Sequence, residues 1–167
     1  MAIIPRLLFV LAVVIAPIVV YATSAVLPAK VASHFGLGGL ANGWMPRDVY
    51  VAVMVALTLL LPLLVTLTTG FIPSLAFSKL KAPAREYWNA PQRRPETLAW
   101  LKAHSCWLGI LLALFLCGVH LLLVQANART PPRLDEPQFF VLMAIFVVLL
   151  VVWLVRLTLR FRVSRRA

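Results

Sequence analysis

Residues 7–27 read LLFVLAVVIAPIVVYATSAVL, an apolar run without a charged side chain. A helix that crosses the hydrocarbon core of a bilayer needs about 20 apolar residues, so this run has the length of one transmembrane helix. Three more long apolar runs follow it, and they begin at Val49, Ser105 and Phe139. The sequence therefore predicts an all-α membrane protein with four transmembrane helices.

The composition also favours lipid as the solvent for most of this chain. The 167 residues are 62% hydrophobic and 13% charged, whereas soluble domains are about 25% charged. A soluble fold of this size cannot bury that much apolar surface. We predict one domain with spans at about 7–27, 49–70, 105–124 and 138–157. The second run is longer than one span requires, and Gly70 and Pro73 are where we expect it to break.

Positive charge is concentrated on alternate segments between the spans. Most of the 16 basic residues precede the first span, lie in loop 71–104 or close the chain. The positive-inside rule then places this loop and both termini in the cytoplasm, and loops 28–48 and 125–137 outside. We expect the basic tail 158–167 and the end of the fourth span to meet anionic lipid headgroups rather than nucleic acid. The arginines concerned are Arg156, Arg160, Arg162, Arg165 and Arg166.

The first outward loop carries the clearest local pattern. The glycines between Gly36 and Gly39 permit a sharp reversal of the chain, and Asn42-Gly43 is a strong turn signal. The indole of Trp44 suits the membrane interface. These features predict a small hairpin that lies over the outer ends of the helices.

The third predicted span combines small residues with one ionisable residue. Gly109, Ala113 and Cys117 recur at every fourth position, a pattern that lets another helix approach closely. His120 falls near the same face, and an ionisable residue inside a membrane is a candidate functional site. The simpler alternative is a neutral histidine bonded to a neighbouring helix or to the hairpin. Because no metal-ligand spacing, phosphate loop or nucleophile motif is present, we expect neither a metal nor a cofactor.

The outward loop also resembles a known family. It reads LPAKVASHF at 27–35, followed by Gly39 and by Asn42-Gly43-Trp44. This is similar to the signature of a bacterial membrane family labelled domain of unknown function 1648, in which Leu-Pro ends the first span and Val-Pro-x-His-Phe follows. Ala32 stands where that family usually has proline. The candidate signature residues are His34, Phe35, Gly39, Asn42, Gly43 and Trp44.

The resemblance implies a multi-pass protein of the bacterial cytoplasmic membrane. The same domain opens the SdpI-like proteins, whose namesake gives immunity to a secreted peptide toxin and takes part in sensing it. Those proteins carry further helices after this domain. The resemblance brings no established reaction and no catalytic residue.

Three functions stay open on the sequence alone. The first, which we favour, is a non-enzymatic binding, accessory or sensing protein whose outward loop recognises a peptide or a membrane-protein partner. The second is a subunit of a transporter or channel, which would have to form a homo-oligomer to enclose a pore, although few charged residues lie in the spans. The third is a membrane enzyme that uses His34, Asp48 and His120, because a histidine–carboxylate pair can perform acid–base chemistry.

Overall fold

The computed structural model describes residues 3–75, 87–88 and 90–162. Arg165, Arg166 and part of loop 71–104 lie outside these residues. Two strands separate the first two helices. The elements are α1 (Ile3–Thr23), β1 (Lys30–Phe35), β2 (Ala41–Pro46), α2 (Arg47–Thr66), α3 (Arg94–Asn127) and α4 (Glu136–Phe161).

Within the described ranges, four helices are long and apolar enough to cross a membrane. They are α1 with the turn that follows it, α2 with its continuation to Ser74, α3 and α4. This confirms the prediction of an all-α fold with four such helices and is consistent with a multi-pass membrane protein. No residue of α4 is buried, and an apolar surface of that kind favours lipid over water by about 25 cal/mol per Å². The direction of crossing stays the prediction made from the basic residues.

Helix α3 is the centre of the bundle. It packs against α1 and α2, which also pack against each other, and α4 lies along α3. The largest buried cluster lies where the hairpin meets the helices, and β1 contributes Val31 to it. The other buried members come from α1, α2, α3 and the segment before β1: Val20, Leu27, Tyr50, Met54 and Leu123.

The small residues of α3 permit close helix contacts on two sides. A Cβ at Gly109 would meet the side chains of Phe9 in α1 and Thr66 in α2. Ala113, on the same stripe, is fully buried, whereas Cys117 is half-buried. The Gly109 end of the stripe therefore serves packing inside this chain.

The helix formed by the second apolar run continues through the break that we predicted at Gly70 and Pro73. Residues Leu67–Phe71 form a π-helical turn, and the helix resumes at Ile72–Leu75. Gly70 has no Cβ, so the Ser105 side chain of α3 occupies that space, and α2 stays in contact with α3. A π-helical turn has hydrogen bonds from i to i+5, so it accommodates one more residue than an α-helical turn at the place where α2 approaches α3. Loop 71–104, which we predict to be cytoplasmic, is described only at residues 71–75, 87–88 and 90–104.

Candidate functional site

The two strands form an antiparallel hairpin that contacts α2 and α3. Lys30 pairs with Pro46 and Ala32 with Trp44, and the register then shifts so that His34 faces Gly43. A Cβ at Gly43 would lie 2.9 Å from the Cβ of His34, so glycine lets the strands stay close. The His34 Nδ1 and the Asn42 side-chain oxygen are hydrogen-bonded across the hairpin. We call the end of the bundle that carries these strands the hairpin end.

The turn between the strands depends on two glycines with left-handed backbone. Gly38 has φ of 78° and Gly39 has φ of 71°, a region in which residues with a Cβ are strained. Gly39 has a second constraint, because a Cβ there would overlap the backbone carbonyl of Leu134. At Gly38 the same position is open space. The glycine at 39 is thus explained by a contact with a distant segment as well as by its own turn.

The turn is held by the loop that joins α3 to α4. The Leu134 amide donates to the Gly39 carbonyl at 2.8 Å, and the Gly38 amide donates to the Glu136 carboxylate at 2.9 Å. The Arg133 Nε donates to the Gly38 carbonyl at 3.0 Å. These three bonds, which we call the tip clamp, join the two loops that the sequence places on the same side.

The α3–α4 loop is itself fixed by an acidic residue. One Asp135 side-chain oxygen accepts from the Gln138 amide at 3.2 Å and so caps the start of α4. The other oxygen accepts from the Arg129 guanidinium at 3.2 Å. The Gln138 amide first, and then Arg129, hold the pKa of the Asp135 carboxyl below its usual range. These bonds to Asp135 therefore fix the positions of Arg133 in the loop and of Glu136 at the start of α4, both of which contact the hairpin.

The base of the hairpin is fixed to α3 by one asparagine. The Asn127 side-chain oxygen accepts from the Ala32 amide at 2.8 Å, and its amide group donates to the Ala32 carbonyl at 2.9 Å. The same amide group donates to the Leu123 carbonyl at 2.9 Å. A side chain that reproduces both bonds of a strand neighbour holds β1 as a pairing strand would. The hairpin is consequently attached at its base by Asn127 and at its turn by the tip clamp.

Three large apolar residues of this anchored hairpin remain exposed. The Leu37 side chain is 100% exposed, Leu40 is 52% exposed and Trp44 is 48% exposed. The Lys30 ammonium lies 5.9 Å from the centre of the Trp44 ring, within the range of a cation–π contact. The hairpin therefore presents two leucines and one tryptophan on a backbone that is hydrogen-bonded to the helices at its base and to the α3–α4 loop at its turn.

His120 lies beneath the hairpin and is fully buried. Its Nε2 is 2.8 Å from the Thr23 hydroxyl, which itself donates to the Val19 carbonyl at 2.6 Å. The Thr23 oxygen therefore accepts from Nε2, while Nδ1 is hydrogen-bonded to the Tyr50 hydroxyl at 2.9 Å. His120 of α3 is thus hydrogen-bonded to α1 and to α2, the kind of contact with neighbouring helices that the simpler alternative expected.

The structure does not join the three residues of the enzyme hypothesis. His34 bonds to Asn42, and His120 bonds to Tyr50 and Thr23. Asp48 lines a separate cleft beside α1. Within the described ranges, no group of three or more His, Cys, Asp or Glu residues could hold a metal ion. The enzyme hypothesis stays a prediction that this arrangement does not support.

The residues that position the hairpin were missed by the sequence reasoning. Asn127 ends an apolar helix and Glu136 opens another, positions at which polar residues are ordinary, so neither gives a signal. Tyr50 and Thr23 become partners of His120 only through the packing of three helices. No family model, no curated protein and no solved structure matches this chain.

Proposed function

We propose that this protein is a membrane-embedded binding protein that recognises a peptide or a membrane-protein partner with the exposed face of its hairpin. The observation that supports this most directly is the contrast between side chains and backbone. Leu37, Leu40 and Trp44 are exposed, while the backbone between them is held by Asn127 and the tip clamp. A binding surface that is already ordered loses less conformational entropy when a partner arrives.

The exposed residues are of the kind that anchors an interface. Tryptophan is enriched among the residues that contribute most to binding, and truncation of such a residue costs about 2 kcal/mol or more. Polar groups surround it here, since Lys30 lies over the Trp44 ring and His34 is exposed beside Asn42. An apolar centre with a polar rim is the usual anatomy of a protein interface.

The placement of charge supports an outward hairpin. Under the positive-inside rule, loops 28–48 and 125–137 face away from the cytoplasm, and the tip clamp joins these same two loops. The protein would then sit in a bacterial cytoplasmic membrane and meet its partner outside. The resemblance of the loop to SdpI-like proteins makes sensing or immunity the first context in which to look for that partner.

Site-specific photo-crosslinking tests this proposal in native membranes. A photoreactive amino acid at Leu37 should give a defined crosslinked product with one partner, and Trp44→Ala should reduce its yield by about thirtyfold, equivalent to about 2 kcal/mol. Val26 is the matched control, because it is apolar and 77% exposed just before the hairpin. A product of equal yield from Val26, or no product from Leu37, would count against the proposal.

A further inference from the structure

A cleft between α3 and α4 lies at the end of the bundle opposite the hairpin. Its volume is about 320 Å³. Its walls are mostly apolar, with Leu111 and Leu114 from α3 and Leu149 and Val152 from α4, while Arg156 stands at its edge. We propose that this α3–α4 cleft binds one anionic phospholipid, with an acyl chain along the apolar walls and the phosphate on Arg156. This goes beyond the proposed function, because no hairpin residue lines the cleft.

At the floor of the cleft, His104 and Trp153 form two hydrogen bonds between the helices, which we call the His104–Trp153 clasp. The Trp153 indole donates to the His104 carbonyl at 2.8 Å, and the His104 Nε2 is 3.1 Å from the Trp153 carbonyl, to which it donates. The two rings stack at 4.7 Å, and Trp100 stacks on the other side of His104 at 4.4 Å. Since these contacts fix the spacing of α3 and α4, the cleft exists before a ligand enters.

The length of the cleft matches one leaflet of a bilayer. Its α3 wall runs from His104 to Leu114, which is about 15 Å at a rise of about 1.5 Å per residue. The hydrocarbon core of a bilayer is about 30 Å thick, so this is about half of it. An acyl chain that lay along these walls would remain at its natural depth in the membrane.

The charge at the edge favours an anionic headgroup. Among the described residues, Arg156 forms no hydrogen bond and no ion pair, whereas Arg160 pairs with Glu96 at 3.0 Å. A second cleft of about 550 Å³ adjoins the first and is lined by Arg156, Arg160 and Trp100. A guanidinium can bind a phosphate through two parallel hydrogen bonds. The apolar walls and the adjacent Arg156 guanidinium together fit a phospholipid better than a soluble phosphate.

Native mass spectrometry of the whole protein with added lipid tests this assignment. The probes are phosphatidylglycerol, phosphatidylethanolamine with the same acyl chains, and glycerol phosphate as the soluble headgroup. We expect one retained phosphatidylglycerol and little retained phosphatidylethanolamine or glycerol phosphate. Arg156→Gln should weaken phosphatidylglycerol binding by about tenfold, the value of one hydrogen bond to a charged group.

Two pairs of variants distinguish lipid binding in the cleft from general electrostatic attraction of anionic lipid to the protein. Arg162→Gln removes an exposed arginine near the same helix end that does not line the cleft, and it should leave binding within about twofold of the wild type. Leu149→Trp fills the cleft and should abolish the retained lipid, whereas Val148→Trp, at a position that does not line the cleft, should not. Equal loss in the two arginine variants, equal behaviour of the two tryptophan variants, or equal binding of glycerol phosphate would each overturn the assignment.

Discussion

Replacing Gly39 by alanine tests whether the hairpin is held by the α3–α4 loop. The adjacent Gly38 is a close control, because both glycines have left-handed backbone, with φ of 71° and 78°. They differ in their surroundings. A Cβ at Gly39 would overlap the Leu134 carbonyl, whereas a Cβ at Gly38 would meet nothing within 4 Å. Since alanine at 38 keeps the backbone amide and carbonyl that bond to Glu136 and Arg133, the pair of variants separates local backbone strain from overlap with the loop.

The two substitutions should differ in cost. A left-handed backbone costs a residue with a Cβ about 1–2 kcal/mol, and Gly38→Ala should lose about that much. Gly39→Ala loses the same amount, and it must also displace Leu134 and break the 2.8 Å bond to the Gly39 carbonyl, worth about 1 kcal/mol. With the displaced loop included, we expect Gly39→Ala to cost about 3 kcal/mol, or about twice the cost of Gly38→Ala.

Stability and a local probe can both be measured. Unfolding by sodium dodecyl sulphate in mixed micelles gives the difference in free energy between each variant and the wild type. Hydrogen exchange at the Leu134 amide reports the tip clamp directly, because that amide donates to Gly39. We expect faster exchange at Leu134 in Gly39→Ala and unchanged exchange in Gly38→Ala. Equal stability loss in the two variants, with protected Leu134 in both, would refute the reasoning.

Three further outcomes follow from the hydrogen bonds at this end. Asn127→Leu should release the base of the hairpin, seen as faster hydrogen exchange throughout the first strand with the helices still protected; unchanged exchange would contradict it. A double-mutant cycle of Tyr50→Phe and His120→Leu should give a coupling free energy of about 1 kcal/mol in mixed-micelle unfolding, whereas additive effects would show that their bond contributes nothing. Asp135 has a lowered pKa, so its stabilising effect is complete above about pH 4 and is lost as pH falls through the folded-state pKa. Thermal stability should therefore fall less steeply with acid in Asp135→Asn than in the wild type, and identical pH profiles would argue against the cap on α4 and the pair with Arg129.

Much of the architecture is visible in the sequence because the bilayer imposes strong local rules. The runs beginning at residues 7, 49, 105 and 139 identify the four helices, since length and apolarity alone decide whether a segment can span. The π turn at Leu67–Phe71 was not predictable, because a glycine and a nearby proline signal a break as readily as a wider turn. The deciding factor is Ser105, which comes from another helix.

The sequence indicates where the hairpin lies, but it does not indicate which distant residues hold the hairpin in place. The glycines and Asn42-Gly43 identify a reversal between β1 and β2, since turn residues act over a few positions. Asn127 bonds to Ala32 across 95 residues and Gly38 to Glu136 across 98. Such pairs leave no periodic or local pattern in a single sequence, and only the packing of the helices brings them together.

The hairpin and the α3–α4 cleft both involve the helices α3 and α4. At one end, the hairpin bonds to Asn127 of α3 and to Glu136 of α4. At the other end, the His104–Trp153 clasp joins those helices again. A partner that binds best when the hairpin is released from Glu136 would alter the spacing of α3 and α4, and hence the cleft. That partner would then change the affinity of the cleft for lipid, and bound lipid would change the affinity for the partner by the same factor. A partner that binds Leu37 and Trp44 without moving the backbone has no differential affinity between the two arrangements, so it would leave lipid binding unchanged.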